Sequence, residues 1–404
     1  MQQMRIIPRS IYIERVRPYI DQQVIKVFIG QRRVGKSCIM HQVASEIKAE
    51  KPNATIIYID KELLAFSDII DEHTLYDYVS RNLHEKDNYL FVDEIQEIKN
   101  FQLALRSLLN ENKCDIYCSG SNAKILSGEL ATYLSGRSIS INVYSLCFKE
   151  FLQFYNLSPS LENLHLFLSR GGMPYLANLP MQKEIAYEYL RNIYSAILLK
   201  DVVAHQSVRD VVFLENLCAF LADNIGSLFS VKNISDYLKS QHITKPVITI
   251  QNYLKALLDS FFIYKVSRAN VQGLRIFEIG EKYYFEDLGI RNALQNRDVQ
   301  SDINKLMENA VFKELRCRGY QVYVGRQQEK EVDFIAVRSN ERVYIQVTYL
   351  LNSEKTIERE FGNLADIPDN YPKYVVTMDD YNVTTSYPGI RQIHLLDFLT
   401  SANL

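Results

Sequence analysis

Gly30-Gln31-Arg32-Arg33-Val34-Gly35-Lys36-Ser37 sets two glycines, a lysine and a hydroxyl residue in the spacing G-x-x-x-x-G-K-[ST]. The chemistry this spacing allows is phosphate binding. The glycines let backbone N–H groups turn toward phosphate oxygens, and a helix opening near Gly35 adds the positive end of its dipole. The Lys36 ammonium would reach the β- and γ-phosphates, and the Ser37 hydroxyl would ligate Mg²⁺. Gln31, Arg32, Arg33, Val34 and Cys38 complete the nucleotide-facing stretch.

A second group of chemical residues follows further along. Tyr89-Leu90-Phe91-Val92 is an apolar run ending in Asp93-Glu94. Asp93 is expected to support Mg²⁺ through water, and Glu94 to polarise the water that attacks the γ-phosphate. Adjacent acids after such a strand mark the additional-strand branch of P-loop ATPases, in which one more strand lies between the two motif strands. Ser119-Gly120-Ser121-Asn122 closes that extra strand. Asn122 or Ser121 is the candidate polar contact to the attacking water; a glycine turn capped by Ser and Asn is the structural alternative. Arg137 is the candidate γ-phosphate arginine, acting in its own chain or toward a neighbour, with a structural salt bridge as the alternative.

Elements must hold these residues in place. Val24–Ile29 is an apolar run ending in glycine, and helical spacing follows from Ser37 to Ala49. Further β-branched or apolar runs lie at 56–59, 89–92, 115–118 and 139–143. Strands alternating with helices predict a parallel sheet covered on both faces. From Phe148 the pattern turns helical, with 184–199 and 211–224 the clearest segments. Two short helices at 230–240 and 249–260, a turn at Thr244-Lys245-Pro246 and strand pieces at 261–266 and 274–279 outline a winged helix. The rest reads as helix 304–318, strands 321–324, 332–338 and 342–350, helix 354–367 and strand 374–377.

Composition limits the partners. The 404 residues are 47% hydrophobic and 23% charged with a net charge of -2, so the chain is globular and not basic throughout. Nucleic-acid contact would need a local patch. The proposed recognition helix carries only Lys255 as a base, with Lys232, Lys239 and Lys245 near it. The six cysteines form no CxxC pair or Cys/His cluster, which predicts reduced thiols in a cytoplasmic protein. No signal-like or membrane-spanning apolar run is found. The chain is rich in tyrosine, with 27 Tyr against 19 Phe and no Trp.

Several phrases together resemble a family. The loop of 30–37, Val92-Asp93-Glu94-Ile95-Gln96, Gly120-Ser121-Asn122, Ser135-Gly136-Arg137 and Phe148-Lys149-Glu150-Phe151 look like bacterial and archaeal AAA-type ATPases with a C-terminal domain of unknown function. Gly171-Gly172-Met173-Pro174, Leu199-Lys200-Asp201-Val202, the stretch from Lys282 to Arg291, and Glu331-Val332-Asp333-Phe334 extend the likeness over nearly the whole chain. The resemblance implies an α/β fold: an additional-strand, AAA-type P-loop NTPase core, then a helical lid, a winged helix and a restriction-endonuclease-like α/β domain. The boundaries this sets are 1–165, 166–226, 227–298 and 299–404. In related signal-transduction ATPases a glycine-x-proline motif of the lid contacts nucleotide, which assigns Gly172 and Pro174 to that role.

The C-terminal module resembles a nuclease fold built on a helix glutamate, a strand aspartate and Glu/Gln-x-Lys on the next strand. Glu308, Asp333 and Gln346 fit those places. Thr348 stands at the lysine position and supplies neither a base nor a positive charge. Lys330 and Arg359 are the nearby substitutes in sequence. The expectation is therefore a Mg²⁺-dependent ATPase that drives or gates a conformational change, with a degenerate nuclease-like domain. The alternatives are an ATP-regulated DNA-processing nuclease and a non-catalytic nucleotide switch. The implied partners are ATP, further copies of the chain and an unidentified protein. DNA contact through the winged helix or nuclease-like domain is weighed against the sparse positive charge, and no membrane partner is expected.

Overall fold

Every residue of β1 (Ile25–Ile29) is buried, as a strand covered on both faces requires. The computed structural model describes residues 7–126, 136–203, 210–295, 299–381 and 387–401, with backbone alone at 277–279. Among these the chain divides into two compact units, Met1–Tyr144 with Asp259–Phe261, and Ser145–Leu258 with Phe262–Leu404.

The first unit is a five-stranded parallel sheet in the order β2-β3-β4-β1-β5. Its further strands are β2 (Thr55–Asp60), β3 (Asn88–Asp93), β4 (Asp115–Gly120) and β5 (Ser138–Asn142). The helices are α1 (Ser10–Val16), α2 (Lys36–Glu50), α3 (Glu72–Asn82) and α4 (Phe101–Asn110). β4 lies between β1 and β3, so the expected additional strand is present and the sheet has the P-loop NTPase order. Val92 pairs with Cys118 across β3 and β4, and Ile29 with Gly120 across β1 and β4. The C-terminal ends of the three strands therefore meet on one edge, where α/β sheets place ligands.

β1 also carries a charge into the core. Lys26 is fully buried and its ammonium bonds to Asp115 on β4 and to the Gln22 carbonyl at 3.0 Å. Tyr117 and the Asp21 amide donate to the other Asp115 oxygen at 2.7 and 2.9 Å.

The second unit opens with α5 (Phe148–Tyr155), α6 (Leu161–Arg170), α7 (Lys183–Ala196) and α8 (Val211–Asp223). Next come α9 (Val231–Ser240), α10 (Val247–Asp259) and the hairpin β6 (Ile263–Asn270) and β7 (Ile276–Phe285). After α11 (Leu288–Gln295) and α12 (Ile303–Cys317) follow β8 (Gln321–Gln327), β9 (Lys330–Arg338), β10 (Glu341–Val347), α13 (Glu354–Ala365), β11 (Lys373–Thr377), β12 (Ile390–His394) and α14 (Leu395–Thr400). The strands form one seven-stranded mixed sheet, β12-β11-β10-β9-β8-β6-β7. The helix–turn–helix–hairpin order expected from sequence is present. β6 pairs in parallel with β8, which joins the hairpin to the C-terminal strands. β7 runs well past the piece read at 274–279, and its later residues matter below. Among the described residues no helix is long and apolar enough to cross a membrane.

Removing one partner of a buried ion pair leaves the other charge uncompensated, at a cost of about 3–5 kcal/mol. Lys26→Met should lower the urea unfolding free energy by about that amount. An unchanged midpoint would show that Asp115 is satisfied without the lysine.

Candidate functional site

The loop after β1 turns at Gly35, whose φ of 97° suits glycine, and α2 begins at Lys36. Gly30 lies against β5: a Cβ there would fall 2.1 Å from the Val143 carbonyl oxygen. The Lys36 ammonium, 4% exposed, donates to the carbonyls of Gly30 and Gln31 at 3.1 Å each. It also stands 3.8 Å from Glu94 Oε1. The Ser37 hydroxyl is one of the groups that pull the Asp93 pKa down. Gln31 is wholly buried in the loop, and its side-chain amide has no hydrogen-bond partner among the described residues. Arg32 pairs with Glu62 at 3.2 Å, Arg33 takes a φ of 72°, Val34 is buried and Cys38 is exposed on α2.

Asp93 ends β3 and Glu94 turns away from it at a φ of 51°. The two acids have different partners. Asp93 accepts from Ser119 on β4; burial raises its pKa against the pull of Ser119, Ser37 and Lys36. Glu94 Oε2 accepts from Gln96 and from Ser121 at 3.1 Å. Burial alone would raise the Glu94 pKa, but Lys36, Gln96, Arg32 and Ser121 together hold it below the ordinary carboxylate value. The cluster thus keeps one ionised carboxylate beside the loop lysine, as a water-polarising base needs.

The structure separates the remaining candidates. Ser121 is the polar residue that reaches Glu94, whereas Asn122 Oδ1 accepts from the Lys124 amide at 2.9 Å and caps a turn. Arg137 precedes β5 at the N-terminal edge of the sheet; its carbonyl accepts from the Ile25 amide and its guanidinium donates to Asn110 at 3.1 Å. The parallel register puts it at the edge opposite the loop of its own chain, which corrects the reading of it as a γ-phosphate contact in cis. Ser135 lies outside the described residues. Gly172 and Pro174 belong to the second unit. There the Gly172 amide donates to Asp287 at 2.7 Å, and a Cβ on Gly172 would meet the Leu146 carbonyl at 2.2 Å. Packing alone thus calls for glycine at this position.

Arg9 is a site residue that the sequence did not single out. It is 3% exposed and donates to the Val34 carbonyl at 2.8 Å and the Tyr144 carbonyl at 2.9 Å, with its guanidinium over the Tyr12 ring. It ties the phosphate loop to the end of β5. Position alone gave no signal, because a buried and a solvated arginine look the same in sequence.

The C-terminal acids come together in the second unit beside a polar cleft of about 610 Å³. Gln346 Oε1 accepts from the Asp333 amide at 2.7 Å, and its amide donates to Glu360 at 2.8 Å. Asp333 Oδ2 accepts from the Val347 amide at 2.8 Å. Neither substitute proposed for the lysine joins Glu308 and Asp333: Lys330 pairs with Asp366 at 2.6 Å, and Arg359 with Glu360 at 2.5 Å. The cation that does is Lys282 on β7, at 2.8 Å from Glu308, 2.8 Å from Glu331 and 3.5 Å from Asp333. Burial would lower the Lys282 pKa, yet the charges of Glu308, Asp333 and Glu331 carry it above the ordinary lysine value. Burial pushes the Glu308 carboxyl up to about 7 against the pull of Lys282. The available signal was a single lysine inside the aromatic strand Lys282-Tyr283-Tyr284-Phe285.

Comparison with known proteins gives three family matches. A model described as an AAA domain covers residues 22–152; domains of unknown function DUF8612 and DUF4143 cover 161–301 and 304–397. An uncharacterized protein of Haemophilus influenzae is 33% identical over 403 residues, 98% of each chain. One from Methanocaldococcus jannaschii is 29% identical over 380 residues, 88% of this chain and 82% of its own. A solved Walker-type ATPase of Pyrococcus abyssi aligns at a TM-score of 0.49 and 14% identity, over 72% of this chain and 96% of that one.

Charge-assisted hydrogen bonds contribute about 1.5–3 kcal/mol each. Arg9→Met, which removes two such bonds, should therefore destabilise the protein by about 3–6 kcal/mol in chemical unfolding. Loss of under half a kcal/mol, by the same measurement, would mean that Arg9 does not anchor the loop.

Proposed function

This chain belongs to the AAA-type P-loop ATPases that carry a C-terminal domain of unknown function, and on that premise we propose that it binds ATP with Mg²⁺ and hydrolyses the γ-phosphate bond to drive or gate a conformational change. The observation that carries this reading is the placement of Lys36, Ser37, Asp93 and Glu94 at one sheet edge, with the lysine 3.8 Å from an ionised Glu94.

The residues fit both ligands. Lys36 is bonded to carbonyls of its own loop, acceptors that phosphate oxygens can replace. Ser37, which helps to stabilise the Asp93 carboxylate, and Asp93 would hold the metal, Asp93 through water. Bound Mg²⁺ would supply charge neutralisation on the β- and γ-phosphate oxygens. The unpartnered Gln31 amide lies within the loop that would wrap the phosphates.

Each side chain then has a task. The loop N–H groups and Lys36 orient the phosphates. Glu94 accepts a hydrogen bond from the attacking water and takes up its proton as the bond to phosphorus forms. Gln96 and Ser121 hold the Glu94 carboxylate in place, so Ser121 is favoured over Asn122 as the polar group acting through Glu94. Arg137, at the far edge of the sheet, would serve a neighbouring copy if it serves catalysis. Gly172 and Pro174 keep the lid role that the family likeness implies.

ATP binding and turnover of purified Lys36→Ala and Glu94→Gln test the proposal. Lys36→Ala should lose nucleotide affinity. Glu94→Gln should keep affinity while turnover falls by about 100-fold or more, the usual contribution of a general base. Unchanged turnover in both variants would sink the reading.

A further inference from the structure

Thr348 leaves the C-terminal acids without the lysine their resemblance calls for, and the fold brings one in from another element. Lys282 and Tyr284 lie two apart on β7 and so point to the same face. Both donate to Glu308 Oε1 on α12, at 2.8 and 2.5 Å. Glu331 and Asp333, two apart on β9, turn toward the same ammonium at 2.8 and 3.5 Å.

We propose that the Lys282 ammonium is the resident cation of this acid cluster, standing where a divalent ion would otherwise sit, so that the module ties the β6–β7 hairpin to the C-terminal sheet and neither binds Mg²⁺ nor cleaves nucleic acid.

Three features support this. Lys282 is 3% exposed, so its ammonium is enclosed by the cluster and does not project into solvent. One oxygen of each of the three carboxylates already has a close protein donor, Glu331 Oε1 taking the lysine at 2.8 Å. Glu308 Oε1 takes the lysine and Tyr284, and Asp333 Oδ2 takes the Val347 amide. On its other side the chain passes near Glu308 at Gly226, where a Cβ would stand 3.0 Å from Oε2. Mg²⁺ asks for near-octahedral oxygens at about 2.0–2.1 Å and gives up its water reluctantly. A cluster already closed on an ammonium offers it no such shell.

The placement also accounts for Thr348. It is 6% exposed and its amide donates to the Val376 carbonyl at 3.0 Å, a backbone position in the sheet edge. With the positive charge arriving from β7, a second lysine there would add an ammonium to a cluster that already holds one. The hairpin is held to the sheet twice, by β6–β8 backbone pairing and by Lys282.

Mn²⁺ binding to the nucleotide-free full-length chain, counted by electron paramagnetic resonance, tests this. Wild type and Asp333→Asn should bind Mn²⁺ alike. Lys282→Met should gain a site at least about tenfold tighter than any in wild type, lost again in Lys282→Met/Asp333→Asn. Lys282→Arg, which keeps a cation in place, should gain none. A wild-type Mn²⁺ site abolished by Asp333→Asn would overturn the proposal. So would a folded Lys282→Met that gains no site. Mg²⁺- or Mn²⁺-dependent cleavage of single- or double-stranded DNA or RNA, lost in Asp333→Asn, would overturn it as well. Should Lys282→Met not fold, the wild-type and Asp333→Asn comparison decides alone. ATP turnover is read separately and does not bear on the outcome.

Discussion

A carboxylate taken out of water is costly unless donors replace the water it loses. Both units are organised around that demand. In the first, Asp93 and Glu94 sit at the buried end of a strand. In the second, Glu308 and Asp333 lie within a mixed sheet and its packed helix. The donors that satisfy them come from elements distant in sequence, so satisfying the acids also fixes which strands must be neighbours.

The strand order of the first sheet follows from this. β4 between β1 and β3 brings Ser119 to Asp93 and Ser121 to Glu94, while β1 leads into the loop that brings Lys36. Were β3 directly beside β1, neither serine would stand at the acids. The second sheet repeats the logic with different elements. Parallel pairing of β6 with β8 sets β7 where Lys282 and Tyr284 reach Glu308. The tyrosine-rich composition acquires a partial meaning here. Tyr284 stacks on Phe312 and gives its hydroxyl to the half-buried Glu308, while Tyr283, on the opposite face, stacks on Phe229.

Much of the first unit was legible in sequence because its signals are local. A buried apolar run, a glycine loop and a lysine within eight residues define one turn of chain, and Asp93-Glu94 ends a strand that hydrophobicity alone reveals. Long-range partners were not legible. Arg9 gave no sign of burial, and Ser121 could be told from Asn122 only once the register placed one hydroxyl beside Glu94. Arg137 was assigned by its place in a phrase, and the parallel register carries it to the far edge. Lys282 was missed for the same reason. Its partners lie 26, 49 and 51 residues away, and no spacing rule spans a strand that pairs through a different sheet neighbour.

Lys36 and Lys282, two of the buried lysines, show how similar residue sets reach different ends. Each stands near carboxylates, and each is under one-twentieth exposed. Their closest partners differ. Lys36 donates to two backbone carbonyls, acceptors that carry no net charge. A phosphate oxygen adds to the same ammonium hydrogen bond the attraction of opposite charges. On the proposed function, an incoming triphosphate would therefore displace the loop's own carbonyls, and Lys36 would exchange to it. Lys282 already holds the stronger kind of bond, to Glu308 and Glu331, with Asp333 beyond. Drawing it away would leave up to three acids uncompensated. What separates a ligand-binding lysine from a fixed one is thus the charge of the acceptors it must leave, since the depth of burial is the same in both.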